Sequence, residues 1–141
     1  MLNDNMQYIE LINGVRMPKI GLGTYPMNGD LLKNVVKKSD GLGYKLYDSA
    51  HSYKNEKILG ETLRSLSVDR SNVFVTSKVK AYQYLGRRRY LHIDKKSISK
   101  CYSNTLKEFG FNYLDLFLLH SNIDFYMHAY KEMIELYEQN K

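Results

Sequence analysis

The sequence has no tryptophan, one cysteine and two prolines in 141 residues. The single cysteine, Cys101, rules out an internal disulfide and a structural zinc site, and it fits a reducing compartment. No apolar run approaches the roughly 20 residues that span a bilayer. The opening Met1-Leu-Asn-Asp-Asn-Met6 lacks the basic, hydrophobic make-up of a secretory signal. A cytoplasmic location without a membrane partner is therefore expected. His51, His92, His120 and His128 do not fall at metal-ligand spacing, so no metal is expected. Gly21-x-Gly23 lacks the third glycine and the immediate helix of a dinucleotide fingerprint, which argues against a Rossmann domain. Neither a Gly-x-x-x-x-Gly-Lys phosphate loop nor a Gly-x-Ser-x-Gly elbow occurs, so the common nucleotide-hydrolysing and serine-hydrolase classes drop out.

What is present is the profile of a soluble globular chain, 43% apolar and 26% charged, long enough for one domain with a core. The net charge of +6 raises the question of nucleic acid. Arg87-Arg88-Arg89, with Tyr82, Tyr84 and Tyr90 around it, is a basic aromatic loop of the kind that holds phosphate or stacks on bases. No nucleic-acid module pattern surrounds it, so a solvated basic loop is the plainer reading and nucleic acid is not the expected partner.

Hydrophobic periodicity predicts a small hairpin over residues 8–18, with Asn13-Gly14 as a turn whose two positions both need positive φ. Four strand–helix units follow over residues 19–141. The expected strands are Lys19 to Pro26, Lys45 to Asp48, Val73 to Ser77 and Tyr113 to Leu119. Helices are expected from Asp30 to Lys38, Asn55 to Leu66, Lys95 to Phe109 behind an Asp94 cap, and about Phe125 to Gln139. The last has Tyr126, Ala129, Tyr130, Met133, Leu136 and Tyr137 on its apolar face. Strands alternating with helices imply an α/β fold with a parallel sheet and no linker dividing the chain.

Three strands close on a residue with chemical potential: Asp48, Lys78 and His120. Parallel α/β folds place their sites at the carboxyl ends of strands. Taken singly, Asp48 reads equally as a turn or helix cap, Lys78 as a solvated loop lysine and His120 as a core histidine. Those plain readings do not account for all three ending consecutive strands at one rim, beside Tyr53. A phenol is too weak an acid for easy proton transfer at neutral pH unless an ammonium stabilises the phenolate, and a carboxylate keeps that ammonium charged and fixed. A neutral imidazole can polarise a carbonyl oxygen. Such a set suits proton delivery to a developing alkoxide, hence carbonyl reduction.

The stretch Asp48-Ser-Ala-His-Ser-Tyr53-Lys-Asn-Glu56 closely resembles the signature of the aldo-keto reductase family. Leu11-Ile-Asn-Gly-Val-Arg-Met-Pro18 is similar to that family's barrel-plugging hairpin. Gly21-Leu-Gly-Thr-Tyr25, Val75-Thr-Ser-Lys78 and Tyr113 to His120 resemble its first, third and fourth strands. The resemblance implies a (β/α)₈ TIM barrel, NADPH as cofactor and a small aldehyde or ketone as substrate. It assigns Tyr53 as general acid, Lys78 as the cation beside it, Asp48 as the lysine's counter-charge and His120 as the group that orients the substrate carbonyl. Gly23, Thr24, Tyr25 and Asp48 match positions beside the nicotinamide, with Tyr25 and His120 facing substrate. Tyr25 stands where the family commonly has tryptophan, Lys80 where it often has an aromatic, and Ser121-Asn122 where it usually has Trp-Pro, so a less bulky, more polar pocket is expected.

Length is the larger departure, since a TIM barrel takes about 250 residues. The 141 residues are expected to be a single truncated domain, the N-terminal half of the barrel, without strands five to eight and their cofactor contacts. Such a half would expose two strand edges, which pairing of two copies could cover. A reductase and a catalytically inactive half-barrel or interaction module are therefore the two function classes in play.

Overall fold

A computed structural model describes residues 8–66, 68–79, 97–120 and 126–139. The expectations on Lys80, Tyr82, Tyr84, Arg87 to Arg89, Tyr90, His92, Asp94, Lys95, Ser121, Asn122 and Phe125 lie outside them.

The hairpin forms where the sequence places it. Strand β1 (Tyr8–Glu10) pairs antiparallel with β2 (Arg16–Pro18), Ile9 opposite Met17. Its turn differs from expectation, because only Gly14 takes a positive φ, of 79°. The reversal begins two residues earlier: Gly14 N donates to Leu11 O at 2.8 Å, and Leu11 N to Val15 O at 2.8 Å. Asn13 keeps a negative φ and uses its side chain to accept from Val15 N. A turn over Leu11–Gly14 needs a left-handed residue only at its last position, which glycine supplies without strain.

Four parallel strands follow in sequence order: β3 (Leu22–Gly23), β4 (Leu46–Asp48), β5 (Phe74–Val79) and β6 (Leu116–Leu119). Helices α1 (Gly29–Gly41), α2 (Glu56–Ser65), α3 (Ser97–Phe109) and α4 (Tyr126–Glu138) follow them in turn, an alternating partial (β/α) barrel. Side chains alternate across a strand. Leu22, Tyr47, Val75, Val79, Phe117 and Leu119 therefore pack on the helices, in one core with Leu32, Leu59, Ile98 and Phe109. The opposite face, the barrel interior, receives Gly23, Asp48, Thr76, Lys78 and Leu118. Among the described residues no helix is long and apolar enough to cross a membrane.

Local chemistry fixes the helix ends. Asn28 caps α1, accepting from Gly29 N at 2.8 Å, and Gly43 at φ 89° follows its end. Helix α3 buries Ile98, Cys101, Tyr102, Thr105 and Phe109, a stripe at helical spacing, and Gly110 at φ 66° terminates it.

Four elements depart from expectation. Of the strand expected from Lys19 to Pro26, only Leu22–Gly23 pairs, as β3. Strand β5 runs to Val79, so Lys78 is itself a ladder residue opposite Leu118. Strand β6 begins only at Leu116: Asp115 N still donates to Val75 O at 3.1 Å, but Val75 N is taken by the Asp115 carboxylate, at 2.8 Å, which also accepts from Arg70 at 2.7 Å. In α4, Tyr130 and Tyr137 are 54% and 62% exposed, while Ala129, Glu132 and Leu136 are buried. The Glu132 carboxylate accepts from Ile98 N at 3.0 Å, in the first turn of α3. Satisfying that otherwise unpaired amide turns the 129–132–136 face inward and leaves the tyrosines outside.

Helices α2 and α3 meet at Gly60, where a Cβ would collide with the Phe109 backbone. In a free helix, Gly→Ala gains about 1 kcal/mol. Here backbone would have to move, at a cost of about 1–3 kcal/mol for overpacking. Gly60→Ala should therefore destabilise the chain, seen as a lower midpoint in urea unfolding; an unchanged or higher midpoint would contradict this close approach.

Candidate active site

The parallel register sets the rim. Gly23 lies opposite Asp48, Asp48 opposite Thr76, and Thr76 opposite Leu116, so the ends of β3 and β4 stand level, while β5 and β6 run three residues further, to Val79 opposite Leu119. Lys78 sits two residues beyond Thr76 and reaches back across the strands. Its Nζ donates to Asp48 Oδ1 at 2.7 Å, to Oδ2 at 2.6 Å and to the Ser49 carbonyl at 2.9 Å. The lysine side chain is only 16% exposed, so its charge is matched by the carboxylate and not by solvent.

A 3₁₀ turn, His51–Tyr53, carries the tyrosine over this pair. It closes through Tyr53 N to Ala50 O at 2.9 Å and ends at Lys54, whose φ is 56°. Lys78 Nζ lies 5.3 Å from the Tyr53 ring centroid. The His120 ring stands edge-on to Tyr53 at 5.5 Å, and the Tyr25 ring lies 5.0 Å from Tyr53, tilted by 51°. His120 follows β6 directly, its backbone N donating to Val79 O at 2.9 Å. Asp48, Tyr53, Lys78, His120 and Tyr25 thus form one cluster.

The glycines and Thr24 divide their tasks. A Cβ on Gly21 would strike the Leu46 side chain, whereas one on Gly23 would meet nothing within 4 Å. Gly21 is needed for packing, and Gly23 borders open space. Thr24 is fully buried, with N and Oγ1 both donating to the Asp48 carbonyl at 3.0 and 2.9 Å. It fixes the backbone of Asp48 and offers no side chain to the rim. Tyr25 is 69% exposed.

Sequence reasoning passed over three residues that hold this arrangement. Asn55 is fully buried; its Nδ2 donates to Thr24 O at 3.2 Å and Met27 O at 2.9 Å, and its Oδ1 accepts from Ser49 Oγ at 2.7 Å. Glu56 lies behind the rim, accepting from Ser77 Oγ at 2.6 Å and Thr105 Oγ1 at 3.3 Å, with His51 Nδ1 3.4 Å from its other oxygen. Ser52 Oγ stands 3.2 Å from His120 Nδ1. The available signal was polar residues at the start of a helix that has to pack on two neighbours. An open cleft of about 830 Å³ runs beside the turn, lined by His51, Ser52, Lys57 and Lys107 among others. Asp48, Tyr53, Lys78 and His120 are not among its lining residues, so the cleft borders the cluster without containing it.

Residues 19–139 match the model of the aldo/keto reductase family. The chain is 32% identical over 138 residues to methylglyoxal reductase DkgA of Escherichia coli, covering 96% of this chain and 46% of that protein. It is 33% identical over 121 residues to the NADPH-dependent aldose reductase GRE3 of Saccharomyces cerevisiae, covering 83% and 34%. A crystal structure of an aldo/keto reductase from Brucella melitensis superposes with a TM-score of 0.81 at 25% identity, over 94% of this chain and 48% of that one. This chain belongs to the aldo/keto reductase family and spans less than half the length of these relatives.

Burial pushes the Glu56 carboxyl above the ordinary 4.5, opposed by hydrogen bonds from Ser77 and Thr105 and by the nearby His51. The folded state then binds a proton more tightly than the unfolded chain. The stability this contributes is complete below pH 4.5 and is lost as pH rises through the higher folded value. Glu56→Gln, which keeps the shape of the neutral acid, should flatten that decline in a series of urea midpoints measured upward from pH 4.5. A variant as pH-dependent as the parent would exclude Glu56 as its source.

Proposed function

We propose that Asp48, Tyr53, Lys78 and His120 form the acid–base machinery of an NADPH-dependent reductase that converts small aldehydes or ketones to alcohols. The observation that carries this reading is the Lys78 ammonium, fixed by both Asp48 oxygens and lying 5.3 Å from the Tyr53 ring centroid. The site fits the nicotinamide end of NADPH: open space borders Gly23, Tyr25 presents an exposed ring, and Asp48 ends the adjacent strand. When bound, the cofactor supplies the hydride.

The chain's own residues supply the rest. The Tyr53 hydroxyl gives its proton to the carbonyl oxygen as negative charge grows there. Lys78, kept charged by Asp48, stabilises the phenolate left behind. His120, against the edge of Tyr53, holds the carbonyl oxygen in line with the hydroxyl. Gly23, Tyr25 and Asp48 would hold the nicotinamide, and Thr24 would act through Asp48. Tyr25, exposed in a chain without tryptophan, makes the substrate side open and polar, in keeping with the small carbonyl compounds in the names of the two curated relatives. A cytoplasmic setting goes with this reading, since a single cysteine allows no internal disulfide.

The 46% coverage of DkgA motivates the second reading, a half-barrel that keeps the cluster and binds no cofactor. The purified chain should consume NADPH with a simple aromatic aldehyde, and Tyr53→Phe should lower the rate by about 10²–10⁴-fold, the usual worth of a general acid. A folded chain that neither consumes NADPH nor alters its fluorescence on titration would decide for the inactive half-barrel.

A further inference from the structure

Ser52 occupies the middle of the 3₁₀ turn, next to Tyr53, and its Oγ is 3.2 Å from Nδ1 of His120, which lies 68 residues further along the chain. A neutral imidazole carries its proton on one nitrogen and accepts at the other, so the partner of Nδ1 selects what Nε2 can do. If the hydroxyl donates, Nδ1 accepts and the proton stands on Nε2, leaving that nitrogen a donor. If Nδ1 donates to the hydroxyl, Nε2 is an acceptor and cannot hydrogen-bond a carbonyl oxygen. We propose that Ser52 is a positioning residue: its hydroxyl donates to Nδ1 of His120 and keeps the imidazole proton on Nε2. This rests on the reading of His120 as the group that orients the carbonyl, and adds to it the residue that makes the imidazole a donor.

The surroundings are built for such a role. The His120 backbone is held by Val79, and its ring meets the edge of Tyr53 at 5.5 Å. The turn bearing Ser52 is itself anchored, since its His51 lies against the buried Glu56. The hydroxyl therefore approaches the ring from a fixed backbone, and the same turn delivers the proton donor and the residue that sets the imidazole's tautomer.

The test is a long-range proton–nitrogen NMR spectrum of the chain labelled with ¹⁵N-histidine, at an alkaline pH where imidazoles are neutral. The His120 signal is assigned by its loss in His120→Gln. The parent chain should show the proton on Nε2. Ser52→Thr should preserve that state, and Ser52→Ala should shift the tautomer ratio about fivefold toward Nδ1, the factor one neutral hydrogen bond is worth. A parent spectrum with the proton on Nδ1 overturns the proposal, and so does an unchanged ratio in Ser52→Ala. With neither cofactor nor carbonyl present, the spectrum reports on Ser52 whether or not the chain is a reductase. Failure of NADPH consumption beside the expected spectrum would count against the functional reading alone.

Discussion

In a parallel sheet every strand points the same way, so side chains at the strand ends come level only if neighbours stay in step. Here that step is fixed by Gly23 opposite Asp48 opposite Thr76 opposite Leu116. The ion pair between Lys78 and Asp48 depends on it. A shift of one residue in either strand would turn one partner to the helix side, because side-chain direction alternates along a strand. The helix side is already filled by Tyr47, Val75 and Val79, each with no exposed surface. Apolar packing on one face thus holds a charged pair in place on the other. The charges make little net contribution to stability, because taking them out of water costs about as much as their attraction returns.

Behind the rim lies a second polar layer. Asn55 joins the loop after β3 to the loop after β4, and Glu56 joins the 3₁₀ turn to β5 and α3. Both are buried at the start of α2, where hydrogen bonds offset the cost of burying polar groups. Together they explain why one motif extends from Asp48 to Glu56. Its first residue is on the rim, its middle carries Tyr53, and its last two hold the loop to its neighbours. Lys54, with its left-handed φ of 56°, marks where the chain leaves the 3₁₀ turn to enter the helix.

How far this was legible in the sequence depended on which forces act locally. The α1 cap and the α3 stripe follow from capping chemistry and spacing, and the hairpin strands lie within the expected residues 8–18. The clustering of Tyr53, Lys78, Asp48 and His120 was legible because strand ends share a rim. What escaped the sequence was set by partners far along the chain. The Asp115 carboxylate takes up Arg70 and the backbone N of Val75, whose positions only the fold reveals. Glu132 reads as a solvent-facing charge until Ile98 N is found beside it; Ala129, Met133 and Leu136 of the predicted α4 face pack on the core as expected, while Tyr130 and Tyr137 stay exposed. Thr24, matched by resemblance to a position beside the nicotinamide, also braces the rim, its buried hydroxyl donating to the Asp48 carbonyl.

Strand β6 completes the argument. Leu116-Phe-Leu-Leu119 is wholly apolar, yet Leu118 is 37% exposed and the strand has no fully buried residue. By contrast β5, with Thr76, Ser77 and Lys78, is buried almost throughout. Burial of a strand is decided by what lies on both its sides: β5 has β4 and β6, while β6 has a strand neighbour on one side only among the described residues. Beside it, Met127, Tyr130, Ile134 and Tyr137 recur at intervals of three and four on α4 and are also exposed. Apolar side chains at that spacing form an exposed stripe on α4 beside the unpaired edge of β6. The open edge at β6 adjoins His120, whose ring stands 5.5 Å from that of Tyr53, so the unpaired side of the sheet lies next to the rim cluster.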